Sequence, residues 1–321
     1  MNTVEDGKMQ IVIVVVLYKR SPEQTQTINS LAAVFERNPD LLNSFRVFIW
    51  DNSPTAIVDG AIPFPYEYGH NGRNLGTSGA YNHAMEFAES KGAPWLLLLD
   101  QDTTVSHEFL PRMFEYGKRL QGEPEIGAVV GFIYSHGALV SPRRLLRFNR
   151  IEQIPPTFNG IHKQKAYAVN SATLLRVSAL REIGGYSDEF WLDLSDVYVF
   201  RAMHRKGRYM YIAGDVRVEH SIASMDFDKE MSPERYRNFM AAESAYVDLY
   251  SSPLEQRAQL IRLFVRTIRQ YRSYENKAFA RISWEYFCRR LFQTKAKRLL
   301  GWRQQLARRD IPFIEDGRVT G

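Results

Sequence analysis

The sequence predicts an α/β protein, a mostly parallel sheet with helices on both faces followed by a basic helical region, and three observations carry that prediction. Runs of strand length made only of apolar side chains occur at residues 11–17 and 95–99, as expected of strands covered on both faces. Strands end in polar segments that begin with carboxylates, Asp51 after one and Asp100 and Asp102 after another, and that is the edge where open α/β sheets bind ligands. From residue 232 onward the apolar spacing turns helical and stays so.

At 321 residues and 45% hydrophobic content the chain can bury a large core, as one α/β domain or as a domain with an appendage. Its one cysteine, Cys288, excludes an intramolecular disulfide framework and a cysteine-rich zinc site. It suits a reducing cytoplasm, the expected location. Residues 11–17 are too few to cross a bilayer or to serve as a typical signal core, and no later apolar segment is long enough. The net charge of +6 is unevenly placed. Residues 1–228 hold 23 Lys and Arg against 26 Asp and Glu, net −3, while residues 229–321 hold 19 against 10, net +9. A near-neutral body over 1–228 and a basic region over 229–321 are therefore expected.

Taken in order, residues 11–17 are β-branched and uninterrupted, which marks a central parallel strand, and Pro22 after Ser21 opens a helix running to residue 35. Residues 45–50 form a second strand that ends in the turn sequence 51–54. No Gly-x-Gly-x-x-Gly follows either strand, so a dinucleotide-binding fold loses its main support. A Pro-rich connection at 62–65 and a short extended piece near 66–68 lead to the loop 70–79 and a helix over 80–90. That loop carries Arg73, Asn74 and Gly76 ahead of the helix. Its composition can offer backbone N–H groups and a guanidinium to a phosphate or sugar, or be that of a plain loop. Beyond residues 95–99 we expect a helix at about 108–120, a strand at 126–133, and irregular chain at 134–162, where Arg143, Arg144, Arg147 and Arg150 receive no role. A strand-like stretch at 165–175 and a short helix at 177–183, ended by Gly184 and Gly185, follow. A helix running to residue 206 and two strands, 209–213 and 216–219, complete the body.

Asp100 and Asp102, one residue apart after a buried strand, suit Mg²⁺ or Mn²⁺ carrying phosphate oxygens. The alternative is an acidic turn capping the next helix, since Thr103, Thr104 and Ser106 are good N-cap residues. His220 also ends a strand and is expected to join Asp102 as a ligand, although a lone histidine more often serves packing. Residues 186–196 interleave carboxylates with large apolar side chains, and an apolar setting raises a carboxylate's pKa toward proton-transfer work. Asp193 and Asp196 are both candidates, and either can instead cap the helix that follows.

In their order, these features resemble the inverting family 2 glycosyltransferases with the GT-A fold. The matching stretches are residues 14–18, 48–53, 74–82, 97–103, and 172–185 with 196–220, so the resemblance covers roughly residues 11–220. The Asp100-Gln101-Asp102 variant and the segment from Trp191 through Asp193 to Asp196 are most similar to bacterial rhamnosyltransferases that use a dTDP-sugar. The resemblance implies that Asp51 contacts the nucleotide base. It implies that Arg73, Asn74, Gly76 and Asn82 line the donor site, that Asp100, with Gln101 beside it, binds ribose or assists the metal, that Asp102 and His220 ligate Mg²⁺ or Mn²⁺, and that Asp196 is the base. Tyr198 and Ala202 depart from the family, which often has an acidic residue and an arginine there.

The tail reads as amphipathic. Leu260, Ile261, Phe264, Val265, Ile268 and Tyr271 form one apolar stripe, with Arg257, Arg262, Arg266, Arg269 and Arg272 elsewhere on the helix. Such helices can lie on anionic lipid at the inner face of the plasma membrane, pack on the body, or pair subunits of a homo-oligomer. The expected partners are a dTDP- or UDP-sugar and a saccharide or lipid-linked saccharide, with no nucleic acid. A nucleic-acid-binding protein ranks below this, because carboxylates at strand ends repel phosphate unless a cation is present. A catalytically silent sugar-nucleotide-binding subunit is a third reading.

Overall fold

The computed structural model describes residues 9–57, 62–220 and 231–308. It comprises two compact units that part within segment 221–230, with Arg147–Asn149 grouped with the second. The expected boundary after residue 228 lies outside the described residues.

The first unit is built on a ten-stranded sheet. Its centre is β1 (Ile11–Leu17), flanked in parallel by β2 (Phe45–Asp51) and β4 (Trp95–Asp100), with β3 (Tyr66–His70) parallel beyond β2. Next to β4 lies β12 (Thr173–Arg176), which runs the other way, and then β6 (Ile126–Ser135), to which β13 (Tyr209–His220) is parallel. The sheet is thus mostly parallel in its central strands, with one reversed strand inside it. Three short antiparallel strands fill its margins: β5 (Thr103–Thr104) and β10 (Gly160–His162) on β13, and β7 (Ala138–Ser141) on β6.

The period of two along each strand explains why the runs are wholly apolar. Ile11, Ile13, Val15 and Leu17 face one core with Ile28, Leu31, Val34 and Phe35 of α1 (Gln26–Arg37) and Phe109, Leu110 and Met113 of α3 (Phe109–Arg119). Val12, Val14 and Val16 face the other, with Ala80, Tyr81, Ala84 and Ala88 of α2 (Gly76–Ser90), Leu180 of α4 (Val177–Glu182) and Phe200 of α5 (Ser195–Arg205). Every residue of β1 is buried, so each side chain lacks a polar option whichever face it takes.

Several expected elements need correction. Pro22–Gln24 is a separate 3-10 turn before α1, and α2 begins at Gly76 rather than at residue 80. Residues 134–162 are not irregular: besides β7 and β10 they hold β8 (Arg143–Leu145) and β9 (Ile151–Gln153). Of these, β8 pairs with β9 on one side and with β11 (Ala166–Tyr167) on the other in a small second sheet. Such short margin strands carry too few alternating positions to register as a pattern. The expected strand at 165–175 is two strands, β11 and β12, with a bend between them. The expected pair 209–213 and 216–219 is one strand, β13, whose register on β6 slips between Ile212 and Arg217 at a bulge.

The second unit consists of helices α6 (Pro233–Tyr250), α7 (Pro253–Ser273), α8 (Ala278–Phe292) and α9 (Lys295–Ala307). Its interior is polar as well as apolar. Arg266 forks onto both oxygens of Glu243 (2.7 and 2.8 Å), the buried Asp248 accepts from Arg290 (2.9 Å) and Arg298 (2.8 Å), and Gln270, Tyr236 and Ser283 form a closed hydrogen-bonded triangle. None of the helices among the described residues is long and apolar enough to cross a membrane.

Candidate active site

Parallel strands in register bring their carboxyl ends to one edge. Val16 of β1 lies opposite Trp50 on one side and Asp100 on the other, and Leu17 lies opposite Asp51, so the two acidic strand ends flank β1. A third strand joins them by a different route. The antiparallel pairing of His220 with Thr103 closes a loop of over a hundred residues and sets the imidazole beside Asp102. The distances are 3.5 Å from His220 Nδ1 to Asp102 Oδ1 and 3.9 Å from Nε2 to Asp100 Oδ2. Ligand atoms of Asp100, Asp102 and His220 all fall within 4.8 Å of one another.

This cluster fits a divalent cation. Two carboxylates and one imidazole are a donor set suited to Mg²⁺ or Mn²⁺. Burial raises the pKa of Asp102, and the adjacent Asp100 charge raises it further against the opposing influence of His220 and Arg20. A divalent cation would relieve that crowding of negative charge. The supports of the cluster are buried and are not evident in the sequence. Tyr81 Oη donates to Asp100 Oδ1 (2.7 Å), and Thr103 Oγ1 lies 3.1 Å from His220 Nδ1. Ser171 Oγ accepts from the Asp100 amide (3.0 Å) and meets Thr103 Oγ1 at 2.5 Å. Ala172, with φ of +61°, turns the chain directly after Ser171.

The residues expected to line a donor site occupy mixed positions. Asp51 is buried and both its oxygens are engaged, Oδ1 by the Ser53 amide and Oδ2 by the Ile57 amide and Tyr68 Oη. Burial alone would raise its pKa, but these hydrogen bonds prevail and lower it. Gln101 Oε1 accepts from the Tyr18 amide (2.9 Å), stitching β4 to β1. Asn74 Oδ1 accepts from the Gly76 amide, and Asn52, which the sequence reading did not single out, accepts from Leu75 N and donates to Gly76 O. Asn82 pairs through both ends of its amide with the Tyr186 backbone. With Ser78 N bound to Trp191 O, several N–H groups that the loop was expected to present to a phosphate already have protein partners. The exposed Arg73 remains as the loop's cation.

Gly76 has φ of +69°, and a Cβ there would lie 2.2 Å from Trp191 O. The close approach of α2 to residue 191 therefore requires glycine. Gly76→Ala should destabilise by about 1–2 kcal/mol from the left-handed backbone alone, with the clash adding to it. Urea unfolding measures this, and a loss below about 1 kcal/mol would show that the 190–191 segment yields freely.

Across from these groups, Leu194 takes a left-handed conformation (φ +61°) and turns the chain into α5. Neither candidate acid is the N-cap. Asp196 sits in the first helical turn and accepts from the Val197 amide (2.8 Å). Burial, with the Asp193 charge adding to it, pushes its pKa up to about 6 despite that bond. Asp193 lies just before the helix and is half-buried. A buried chain connects the two sides. The Tyr81 and Tyr186 rings are 5.1 Å apart, Tyr186 Oη donates to Asn170 Oδ1 (2.8 Å), and Asn170 Nδ2 donates to Ser195 Oγ (2.9 Å) next to Asp196. Tyr198, one of the departures from the family, stacks on Phe190.

Volume alone does not locate this site. A groove of about 1110 Å³ lies at the opposite, amino edge of the sheet, among Gln10, Phe45, Tyr66 and Pro94, with no ligand-type cluster among its lining residues.

A mostly parallel sheet covered by helices on both faces, with paired carboxylates ending a central strand, is the GT-A architecture of glycosyltransferases. Residues 12–184, more than half of the chain, match the model of glycosyl transferase family 2, and the chain belongs to that family. Among solved structures, S. aureus TarS superposes with a TM-score of 0.50 at 14% identity, covering 95% of this chain and 53% of that one. GalNAc-T7 with UDP, GalNAc and Mn²⁺ superposes with a TM-score of 0.55 at 12% identity, covering 91% of this chain and 57% of that one. The chain spans somewhat over half the length of each, and the likeness is one of fold. No curated protein sequence matches the chain.

Proposed function

We propose that the protein is an inverting hexosyltransferase that moves a sugar from a nucleoside diphosphate to a saccharide hydroxyl. The observation that carries this reading is the cluster of Asp100, Asp102 and His220 at the carboxyl edge of the sheet. A divalent cation held there would neutralise the departing diphosphate. In this reading the nucleotide lies against the turn organised by Asp51, and Arg73 meets a phosphate. Asp196 takes the proton from the acceptor hydroxyl as its oxygen attacks the anomeric carbon and the bond to the diphosphate breaks on the opposite face. A single displacement of this kind inverts the configuration.

The finer form of the proposal is transfer of rhamnose from a dTDP-sugar to a growing cell-surface polysaccharide or lipid-linked oligosaccharide at the cytoplasmic face of the plasma membrane. It rests on the resemblance of the Asp-Gln-Asp and 191–196 segments. GalNAc-T7 with UDP and Mn²⁺, similar in fold, supports the wider class of donor.

Thermal shift tests it, because a ligand that binds only the native state raises stability by mass action. UDP or dTDP should raise Tm with Mn²⁺ present and much less without it. A dTDP preference supports the finer form, and an unmoved Tm with every nucleoside diphosphate would exclude the reading.

A further inference from the structure

The tail was expected to be amphipathic, and it is, but it packs with its polar side inward. On α7 the buried positions are Gln259, Leu263 and Gln270, with Arg266 turned toward Glu243. The apolar stripe points to solvent. Ile261 is 68% exposed, Val265 57% and Tyr271 65%, with Phe264 and Ile268 on the same face. The spacing i, i+3, i+4, i+7 continues this stripe along the helix. Phe287 of α8 joins the two helices into one patch, lying 5.9 Å from the Phe264 ring and 4.9 Å from that of the exposed Trp284. A contiguous apolar patch of this kind marks an interaction surface rather than scattered surface residues.

Charge decides what covers it. Arg257, Arg269, Arg272 and Arg281 are exposed on these helices and have no carboxylate within ion-pair distance among the described residues. From residue 254 to 300 the carboxylates are Glu255, Glu275 and Glu285. Glu255 caps its own helix and Glu285 is held by Arg237 and Arg289. A second copy of the chain docking by two-fold symmetry would bring the same cations together. Nucleic acid would meet the cations but leave Ile261, Val265 and Ile268 unused. An anionic bilayer suits both: aliphatic side chains enter the acyl boundary, Trp284 and Tyr271 suit the headgroup level, and the cations meet lipid phosphates.

We propose that the exposed face of α7 and α8 docks on an anionic lipid bilayer, lying in its interface without crossing it. This deepens the membrane-face location in the proposed function. Its test reads lipid binding and not transfer, so either can fail alone.

The full chain is co-sedimented with vesicles of phosphatidylcholine, with and without about a third of phosphatidylglycerol, at about 50 and 500 mM salt. Binding to the anionic vesicles is expected at low salt and should weaken at high salt. Ile261→Gln/Val265→Gln/Ile268→Gln, all exposed positions, should lower the partition coefficient about tenfold or more. Arg269→Gln/Arg272→Gln/Arg281→Gln should remove most of the salt-sensitive part. A blue shift of emission on binding that Trp284→Phe abolishes would support insertion at this face. Wild-type protein left in the supernatant with anionic vesicles at low salt overturns the proposal, as does unchanged binding by the first variant. Light scattering covers the second copy: a dimer that the first variant converts to monomer, without vesicle binding, assigns the face to self-association instead.

Discussion

Asp102→Ala should abolish Mn²⁺-dependent binding of a nucleoside diphosphate, lowering its affinity about 100-fold or more. Even the partners of metal ligands are worth 10–100-fold in metal affinity, and here one of three candidate ligands is lost. The change leaves Asp100 held by Tyr81, and His220 held by Thr103, so the fold should persist and the loss should be local. Titration calorimetry with and without Mn²⁺ measures it, and chelating the metal from the wild type should reproduce the mutant. Undiminished Mn²⁺-dependent affinity in Asp102→Ala would remove the cation from this cluster and leave the reading without its main support.

Asp196→Asn should bind donor normally and transfer it about 10²–10⁴-fold more slowly. The amide keeps shape and hydrogen bonding but cannot accept the acceptor's proton. With the carboxyl pushed up to about 6, wild-type turnover should fall as the pH drops below that value. Asp193→Asn assayed alongside discriminates the two acids. A selective loss in Asp193→Asn, with Asp196→Asn near normal, would move the base three residues upstream.

The same shift makes a stability claim. A carboxyl raised from 3.8 to about 6 binds its proton more tightly in the folded chain. Asp196 therefore costs stability as pH rises through that window, fully so above about 6 and not at all well below 4. At about 1.4 kcal/mol per unit the upper bound is roughly 3 kcal/mol, which partial exposure discounts to about 1. Asp196→Asn should thus melt higher than wild type at neutral pH and equally at pH well below 4. A candidate catalytic carboxylate that opposes the folded state is what a stability–activity trade-off predicts.

The strands that matter most were legible because their signals are local. Residues 11–17 and 95–99 read as doubly covered strands, and Asp51 and Asp100, which end the two neighbours of β1, fall at one edge as soon as β1, β2 and β4 are parallel. The loop over 70–79 was legible as a loop, but not as one whose backbone at Leu75 and Gly76 takes up the Asn52 and Asn74 amides, with that of Asn82 spent on Tyr186. A polar side chain in a sequence does not reveal whether its partner is protein or ligand. Asp51 belongs to the same class, since three residues, Ser53, Ile57 and Tyr68, up to seventeen positions away, close around it.

By itself the sequence determined the α/β class, the acidic strand ends, the helix that opens near Asp196 and the helical, basic tail, because periodicity, turn chemistry and charge are properties of short windows. Only the tertiary structure decided the reversal of β12, and it set beside Asp102 the His220 that the sequence had led us to expect there, each through pairings between residues far apart in the chain. It also decided which side of α7 is covered. Hydrophobic periodicity alone would bury the stripe from Ile261 to Tyr271. The Arg266–Glu243 pair and the Gln270–Tyr236–Ser283 triangle require partners on neighbouring helices, and satisfying those buried polar groups turns the apolar stripe outward.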